Sequence, residues 1–284
     1  ARRAMIPTIV PKELVTNAMA LSQGSMTATR IAGAAGAGLI IAKYGFAGAY
    51  VTMATVYIGA VIFTWMLKPA DHKRSGYTGI KNMGVDLVDG LKYSWNNPDI
   101  RGVLIISLGW FTFGMAFMQV FAPLFAIEIL DIGESGFGYL ISVSAIGSTI
   151  GALVLAALNP SKNRGVLMLA LLVFFGALLI IFSASTYLMS IPLAFVVMLF
   201  LGVGQSGFFP LINAVLVEKA DEEMRGRVLG VLSLDRAMVT FGGALAGFMA
   251  WGFGAQISQI IFGAGLILTA VLMYVLYKPL RLID

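Results

Sequence analysis

The sequence predicts an all-α membrane protein, and three observations lead to that fold class. Of its 284 residues, 59% are hydrophobic and only 12% are charged, which is about half the charged share of an average soluble domain. The mean hydropathy is +0.90. Long runs such as 102–127 and 135–161 carry no charge and lack the alternation of membrane β-strands. Helices satisfy every backbone hydrogen bond within lipid, so we expect them to form the spans.

Charge-free runs of sufficient length locate these helices. Crossing about 30 Å of hydrocarbon takes about 20 apolar residues in a helix. Two double-length runs are divided by turn-forming residues at 183–192 and 252–256. We therefore expect about eight transmembrane helices, at 16–43, 47–67, 101–128, 136–158, 164–184, 189–217, 226–251 and 255–277.

The basic residues are distributed unevenly between the two sides that these helices define. Sixteen of the nineteen lysines and arginines fall in loops of one side, Lys43 falls on the other, and Arg30 and Arg236 lie within helices. Cytoplasmic loops of membrane proteins carry such an excess. We therefore expect the basic side, which includes the C-terminus, to be cytoplasmic. The net charge of +5 then reflects topology rather than a nucleic-acid partner.

Several classes of chemistry lack the residues that they need. The chain has no cysteine and one histidine, His72, in a polar loop. Zinc sites and histidine-based triads need more of these residues, and the sequence has no phosphate-binding GxxxxGK[ST] motif. We expect neither an enzyme nor a metal or cofactor site.

Three charged residues within the predicted spans are the first candidates for function. Burying a charge in a membrane helix costs about 2.5–3.5 kcal/mol on insertion scales, so such residues commonly serve a function. Asp235 is the only acid well inside a span and is a candidate proton-coupling carboxylate, although a structural pair with a neighbouring arginine is the alternative. Arg30 could bind an anionic substrate group or hold a carboxylate, and Arg236 lies beside Asp235.

Two halves of the chain repeat a pattern of glycines. Gly33, Gly38 and Gly45 recur at a constant offset of 209 residues, as Gly242, Gly247 and Gly254. Related helix bundles of this kind are typical of secondary transporters. Glycines four residues apart, at 147 and 151 and at 243 and 247, predict close helix packing.

The polar stretch 69–99 separates the repeats and predicts a linker. Within it, Val85–Trp95 has the pattern of an amphipathic helix, which we expect to lie on the membrane surface.

Three motifs carry a resemblance to a known family. They are Arg2-Arg3-Ala-Met-Ile-Pro7-Thr-Ile-Val-Pro11, Gly90-Leu-Lys-Tyr93 with Asn97-Pro98-Asp-Ile-Arg101, and Glu222-Glu-Met-Arg225-Gly-Arg227-Val. With the long linker they resemble the major facilitator superfamily, in its bacterial drug:proton antiporter branch of macrolide and enterobactin exporters. The resemblance covers all 284 residues.

The resemblance implies a partial major facilitator fold that contains family helices five to twelve. Residues 1–68 would hold the end of helix four and helices five and six, 69–100 the cytoplasmic linker, and 101–284 the C-terminal six-helix bundle. We accordingly expect a fragment that lacks the first three to four helices.

Site residues also follow from the resemblance. The antiporter motif of helix five matches at Gly24, Gly33 and Gly38, with alanine at 34 and 37 where the family prefers proline and glycine. The cytoplasmic loop motif keeps Arg164 and Gly165 without its preceding aspartate, and helix eleven begins near Arg225 and Arg227. Helices seven and ten line the central cavity of this family. The resemblance therefore implies that five residues on these two helices contact the substrate: Gln119, Gln205, Ser206, Phe113 and Phe117.

The function implied is secondary active transport, with efflux of amphipathic, drug-like or siderophore-like small molecules in exchange for protons. The mechanism would be alternating access in the bacterial inner membrane, by a monomer surrounded by the lipid bilayer. An importer of the same fold is an alternative. A non-transporting membrane scaffold or receptor is another.

Overall fold

A computed structural model describes residues 15–65, 80–158, 163–235 and 237–283. The described residues form helices joined by short connections, and no strand occurs among them. The helices, in chain order, are α1 (Val15–Trp65), α2 (Ile80–Asn96), α3 (Pro98–Ile129), α4 (Gly133–Leu158), α5 (Arg164–Tyr187), α6 (Ile191–Lys219), α7 (Arg225–Asp235 and Ala237–Phe253), α8 (Ala255–Leu276) and α9 (Lys278–Arg281).

Six of the described helices are long and apolar enough to cross a membrane, and they are α3 to α8. Their bounds match the last six predicted spans to within a few residues. The first two predicted spans fall in α1, whose second part contains the shorter apolar helix Ala47–Phe63. The prediction of an all-α membrane protein is confirmed.

The glycine repeat marks two equivalent breaks in the chain. Gly45 interrupts α1 with φ 67° and ψ −174°, and Gly254, its partner at the offset of 209, separates α7 from α8 with φ 81° and ψ 155°. Residues with a side chain rarely adopt such positive φ values. The two glycines therefore end a helix in the same way in each half of the repeat.

Close glycine contacts hold the bundle together. A Cβ atom on Gly147 of α4 would lie 2.8 Å from the Leu199 carbonyl carbon, and one on Gly202 of α6 would lie 2.8 Å from that of Ser144. The predicted close packing at 147 and 151 is thus confirmed, since Gly151 also faces the α6 backbone. Of the pair 243 and 247, Gly243 has a close neighbour, since its Cβ would lie 2.9 Å from Oε1 of Gln119 on α3, whereas the prediction is wrong for Gly247, whose Cβ would have no neighbour within 4 Å.

An aromatic stripe on α3 fills the groove between α5 and α8. Phe113 and Phe121 contact Phe262 of α8, with ring centroids 5.5 and 5.3 Å apart. Phe117 and Phe125 contact Phe182 of α5, at 5.3 and 5.4 Å.

Three π turns in α3 account for the alignment of this stripe. In a regular α-helix a four-residue repeat rotates by about 40° at each step, and three steps would turn it by about 120°. α3 contains π turns at Trp110–Gly114, Phe117–Phe121 and Phe125–Ile129. Each takes extra residues per turn, which rotates the stripe back toward the groove.

Candidate functional site

Two contacts near the middle of α3 involve polar side chains, one with α6 and one with α7. Gln205, at the centre of α6, places Nε2 3.9 Å from Sδ of Met115 on α3. One turn further along α3, Gln119 is exposed, and its Oε1 lies 2.9 Å from the position of a Cβ on Gly243 of α7. Amide groups at this depth are costly unless they bind a partner or face water. We call Met115, Gln119, Gln205 and Gly243 the central cluster.

The other candidates on α3 and α6 point away from this cluster. Ser206 donates to the Val203 carbonyl over 2.9 Å and packs against Gly151 of α4. Phe117 is only 1% exposed, and Phe113 packs against Phe262 and Gly265 of α8. These three side chains therefore belong to contacts within the bundle.

The structure does not describe the side chains of the three charged candidates. Arg30 and Asp235 are in helical backbone, but their side-chain surroundings are not described, and Arg236 falls between the described ranges. The same holds for the surroundings of Gly24 and Gly38, whereas a Cβ on Gly33 would meet nothing within 4 Å. The roles assigned to these residues stay predictions.

A second cluster joins the linker helix α2 to the start of α7. Arg227 places Nη2 2.8 Å from Oδ1 of Asp86 and Nη1 3.5 Å from Oδ2 of Asp89. Tyr93 donates its hydroxyl to Oδ2 of Asp221 over 2.9 Å and accepts the Asp221 amide at 3.1 Å. We call this set the linker contact.

Backbone packing reinforces the linker contact. A Cβ on Gly90 would lie 2.9 Å from the carbonyl oxygen of Arg227, so the two elements meet where α2 lacks a side chain. The amphipathic segment Val85–Trp95 was expected to lie on the membrane surface. Within it, Leu87 packs against the protein, whereas Leu91 and Trp95 are exposed.

Arg164 and Gly165 of the cytoplasmic loop motif lie at the start of α5. Arg164 pairs with Glu218 at the end of α6. Gly165 donates its amide to the Ile283 carbonyl over 3.3 Å and packs under Leu280, which fixes the C-terminal segment against α5. Arg225 donates Nε to the Val217 carbonyl over 2.8 Å.

The sequence contains a signal for the linker contact that motif matching alone misses. Asp86 and Asp89 are three residues apart and share one face of α2, which suits them to pair with a cation on another helix. The acids that pair with Arg227 therefore come from the linker.

Comparison with known proteins identifies the family of this all-α membrane protein. The sequence profile of the Major Facilitator Superfamily matches residues 1–237. The multidrug efflux pump Tap of Mycolicibacterium fortuitum is 27% identical over 187 residues, which are 65% of this chain and 44% of the pump. The staphyloferrin A transporter of Staphylococcus aureus is 23% identical over 287 residues, 99% of this chain and 69% of that protein.

A further relative is the uncharacterized transporter YfmI of Bacillus subtilis, with 26% identity over 172 residues, 58% of this chain and 40% of the relative. The chain thus spans less than half the length of two of these three relatives. The family profile covers most of the chain, and six described helices are suited to cross a membrane. The chain therefore belongs to the Major Facilitator Superfamily and is an all-α, multi-pass membrane protein.

Proposed function

We propose that this chain forms part of a bacterial secondary transporter that exports amphipathic small molecules in exchange for protons. The observation that carries the proposal is the central cluster. Substrate sites of secondary transporters lie near the bilayer midplane, and Gln205 lies at the centre of α6 beside Met115. Two amides for orientation and a flexible thioether for apolar contact suit varied amphipathic ligands.

The relatives support this class of substrate. One is named as a multidrug efflux pump and another as a staphyloferrin A transporter. We infer that Gln119 and Gln205 contact the substrate, while Ser206, Phe113 and Phe117 support the walls of the site from inside the bundle.

Proton coupling is assigned to Asp235, with Arg30 and Arg236 as its charged companions in the membrane. In this proposal the carboxyl group of Asp235 takes up a proton from one side and releases it to the other. The antiporter-motif glycines Gly24, Gly33 and Gly38 favour export over import.

Alternating access gives the linker contact a role. The proposal divides the chain into residues 1–68 of one bundle, the linker 69–100 and the six-helix bundle 101–284. Because Arg227 holds α2 at the start of α7, movement of α7 would be transmitted to the linker. The proposal places the protein in the bacterial inner membrane as a monomer, with the linker and C-terminus in the cytoplasm.

An importer of the same fold is the second candidate, since the name of the staphyloferrin A transporter gives no direction of movement. A non-transporting scaffold or receptor is a weaker candidate, since neither needs amide groups at the centre of the membrane. The direction of gradient-driven movement separates these three functions.

The test compares two substitutions with a matched control in reconstituted full-length protein. Gln205→Leu and Gln119→Leu each remove hydrogen bonds worth about 0.5–1.5 kcal/mol, so the KM for an amphipathic dye should change about two- to tenfold. Ser206→Ala should leave KM unchanged, because its hydroxyl binds the helix backbone. If all three variants transport like the wild type, the central cluster is not the substrate site.

A further inference from the structure

Arg101 is held between two aromatic rings at one end of the bundle. Its guanidinium carbon lies 5.6 Å from the ring centroid of Trp95 and 5.4 Å from that of Tyr277. Nε donates to the Tyr277 hydroxyl over 2.9 Å, and Nη1 donates to the Trp95 carbonyl over 3.2 Å. Three elements, α2, the start of α3 and the end of α8, therefore fix one cation.

The position of Tyr277 is itself tightly determined. Its hydroxyl donates to the Pro98 carbonyl over 2.8 Å while it accepts from Arg101. Its ring packs on Gly102, where an added Cβ would lie 2.8 Å from the ring carbon Cε1. These contacts hold the side chain of Arg101 in one position, so less conformational entropy is lost when a ligand binds it.

This arrangement leaves hydrogen-bond donors available. A guanidinium has five N–H donors, of which Nε and one on Nη1 are used. Among the described residues, no carboxylate lies within ion-pair distance of Arg101. The nearby Asp99 pairs with Lys219 at 3.7 Å. Lys278, next to Tyr277, is exposed and adds a second positive charge.

The site lies where the apolar helices meet water. α8 ends at Leu276 and α3 begins at Pro98, and the neighbouring Leu276 and Leu282 are 74% and 80% exposed. Tryptophan and tyrosine are enriched at the membrane interface. Basic pockets between the ends of transmembrane helices bind anionic lipid headgroups. Arginine binds phosphate through its planar fork of donors.

We propose that Arg101, framed by Trp95 and Tyr277, binds the phosphate of an anionic phospholipid. The positive charge of Lys278 attracts a headgroup with a net negative charge. A zwitterionic headgroup would place its own positive group near Lys278, which is unfavourable. The exposed Leu276 and Leu282 would contact the acyl chains. This site is separate from the central cluster and does not depend on the direction or coupling of transport.

The experiment uses the whole protein in phosphatidylcholine nanodiscs with increasing phosphatidylglycerol. Apparent Tm is followed, and the phosphatidylglycerol molecules retained are counted by native mass spectrometry. We expect phosphatidylglycerol to raise the Tm, and Arg101→Gln to need about ten- to hundredfold more of it, since loss of hydrogen bonds to a charged group weakens binding by that factor. Each variant is compared with its own Tm in phosphatidylcholine alone, so a change in basal stability does not affect the result.

Two variants separate a built site from general charge attraction. Arg281→Gln removes the same charge from the same end of the protein, where Arg281 lies 4.9 Å over Tyr274, and it should retain the response. Arg101→Lys keeps the charge but loses the planar fork, and it should lose most of the response.

The proposal is overturned if Arg101→Gln responds like the wild type, or if Arg281→Gln loses as much. It is also overturned if inorganic phosphate in detergent raises the Tm equally, which would indicate a free-anion site. An equal response to added phosphatidylcholine in detergent would indicate lipid solvation without headgroup recognition.

Discussion

Replacing Gly202 with alanine places a methyl group against the backbone of α4. The new Cβ would lie 2.8 Å from the Ser144 carbonyl carbon and 2.9 Å from the Ser148 nitrogen. Carbon atoms in favourable contact are about 3.5–4.0 Å apart, so α4 and α6 must separate by roughly 1 Å. The obstacle is backbone rather than a flexible side chain, and overpacking of this kind costs about 1–3 kcal/mol.

Gly247→Ala is the matched control, because a Cβ at this position of α7 meets nothing within 4 Å. Both substitutions gain the better helix propensity of alanine, about 0.8–1.0 kcal/mol, so their difference isolates the steric cost. At about 2–4 °C per kcal/mol, Gly202→Ala should melt roughly 2–12 °C below Gly247→Ala.

Fluorescence-detected thermal unfolding in detergent measures this difference, since the buried Trp110 stacks 4.6 Å from Phe208 of α6. Adding Gly147→Ala to Gly202→Ala should cost less than the sum of the single substitutions, because one separation of the helices accommodates both methyl groups. Equal melting temperatures for Gly202→Ala and Gly247→Ala would refute the close-packing argument.

Two further predictions concern the linker contact and the aromatic stripe. Arg227→Gln removes both ion pairs with α2, at about 0.2–1 kcal/mol each, so amide hydrogen exchange in α2 should accelerate about two- to thirtyfold. Lys92→Gln, on the exposed face of the same helix, should leave that exchange unchanged, and equal rates in both variants would count against the contact. Phe117→Ala should destabilise the protein by about 3–5 kcal/mol, whereas Phe248→Ala, at a side chain 68% exposed, should have little effect in the same melting assay.

Helix number and position follow from the sequence because the cost of burying charge in lipid limits each span. Charged residues lie near the outer ends of most of these helices, and turn-forming residues divide the two double-length runs between α5 and α6 and between α7 and α8. The breaks at Gly45 and Gly254 are also visible in the glycine repeat, since the positive φ and extended ψ at these positions are adopted almost only by glycine.

In a span with few polar residues, the sequence pattern does not show which side of the helix faces the site. Phe113 and Phe117 were expected at the substrate because they are aromatic and four residues apart on helix seven. The structure turns both toward the groove between α5 and α8, while Gln119 remains exposed. The π turns that set this rotation depend on packing among three helices, which no local pattern in α3 specifies.

The linker contact was missed for a similar reason. Arg227 lies more than a hundred residues beyond Asp86 and Asp89 in the chain, and the sequence around each residue is typical of a solvated charge. Their pairing requires Gly90 to bring the α2 backbone against that of Arg227, which is a tertiary condition.

The most direct test of proton-exchange transport is movement of a permanently charged amphipathic dye into proteoliposomes that contain the full-length protein. With an acidic interior, protons leave down their gradient and exchange should accumulate the dye inside. A protonophore should abolish this accumulation, and so should Asp235→Asn. Accumulation only when the exterior is acidic would indicate import with protons, and accumulation that Asp235→Asn leaves unchanged would contradict the role of that carboxylate. No gradient-dependent movement of the dye in either direction would contradict proton-coupled export itself.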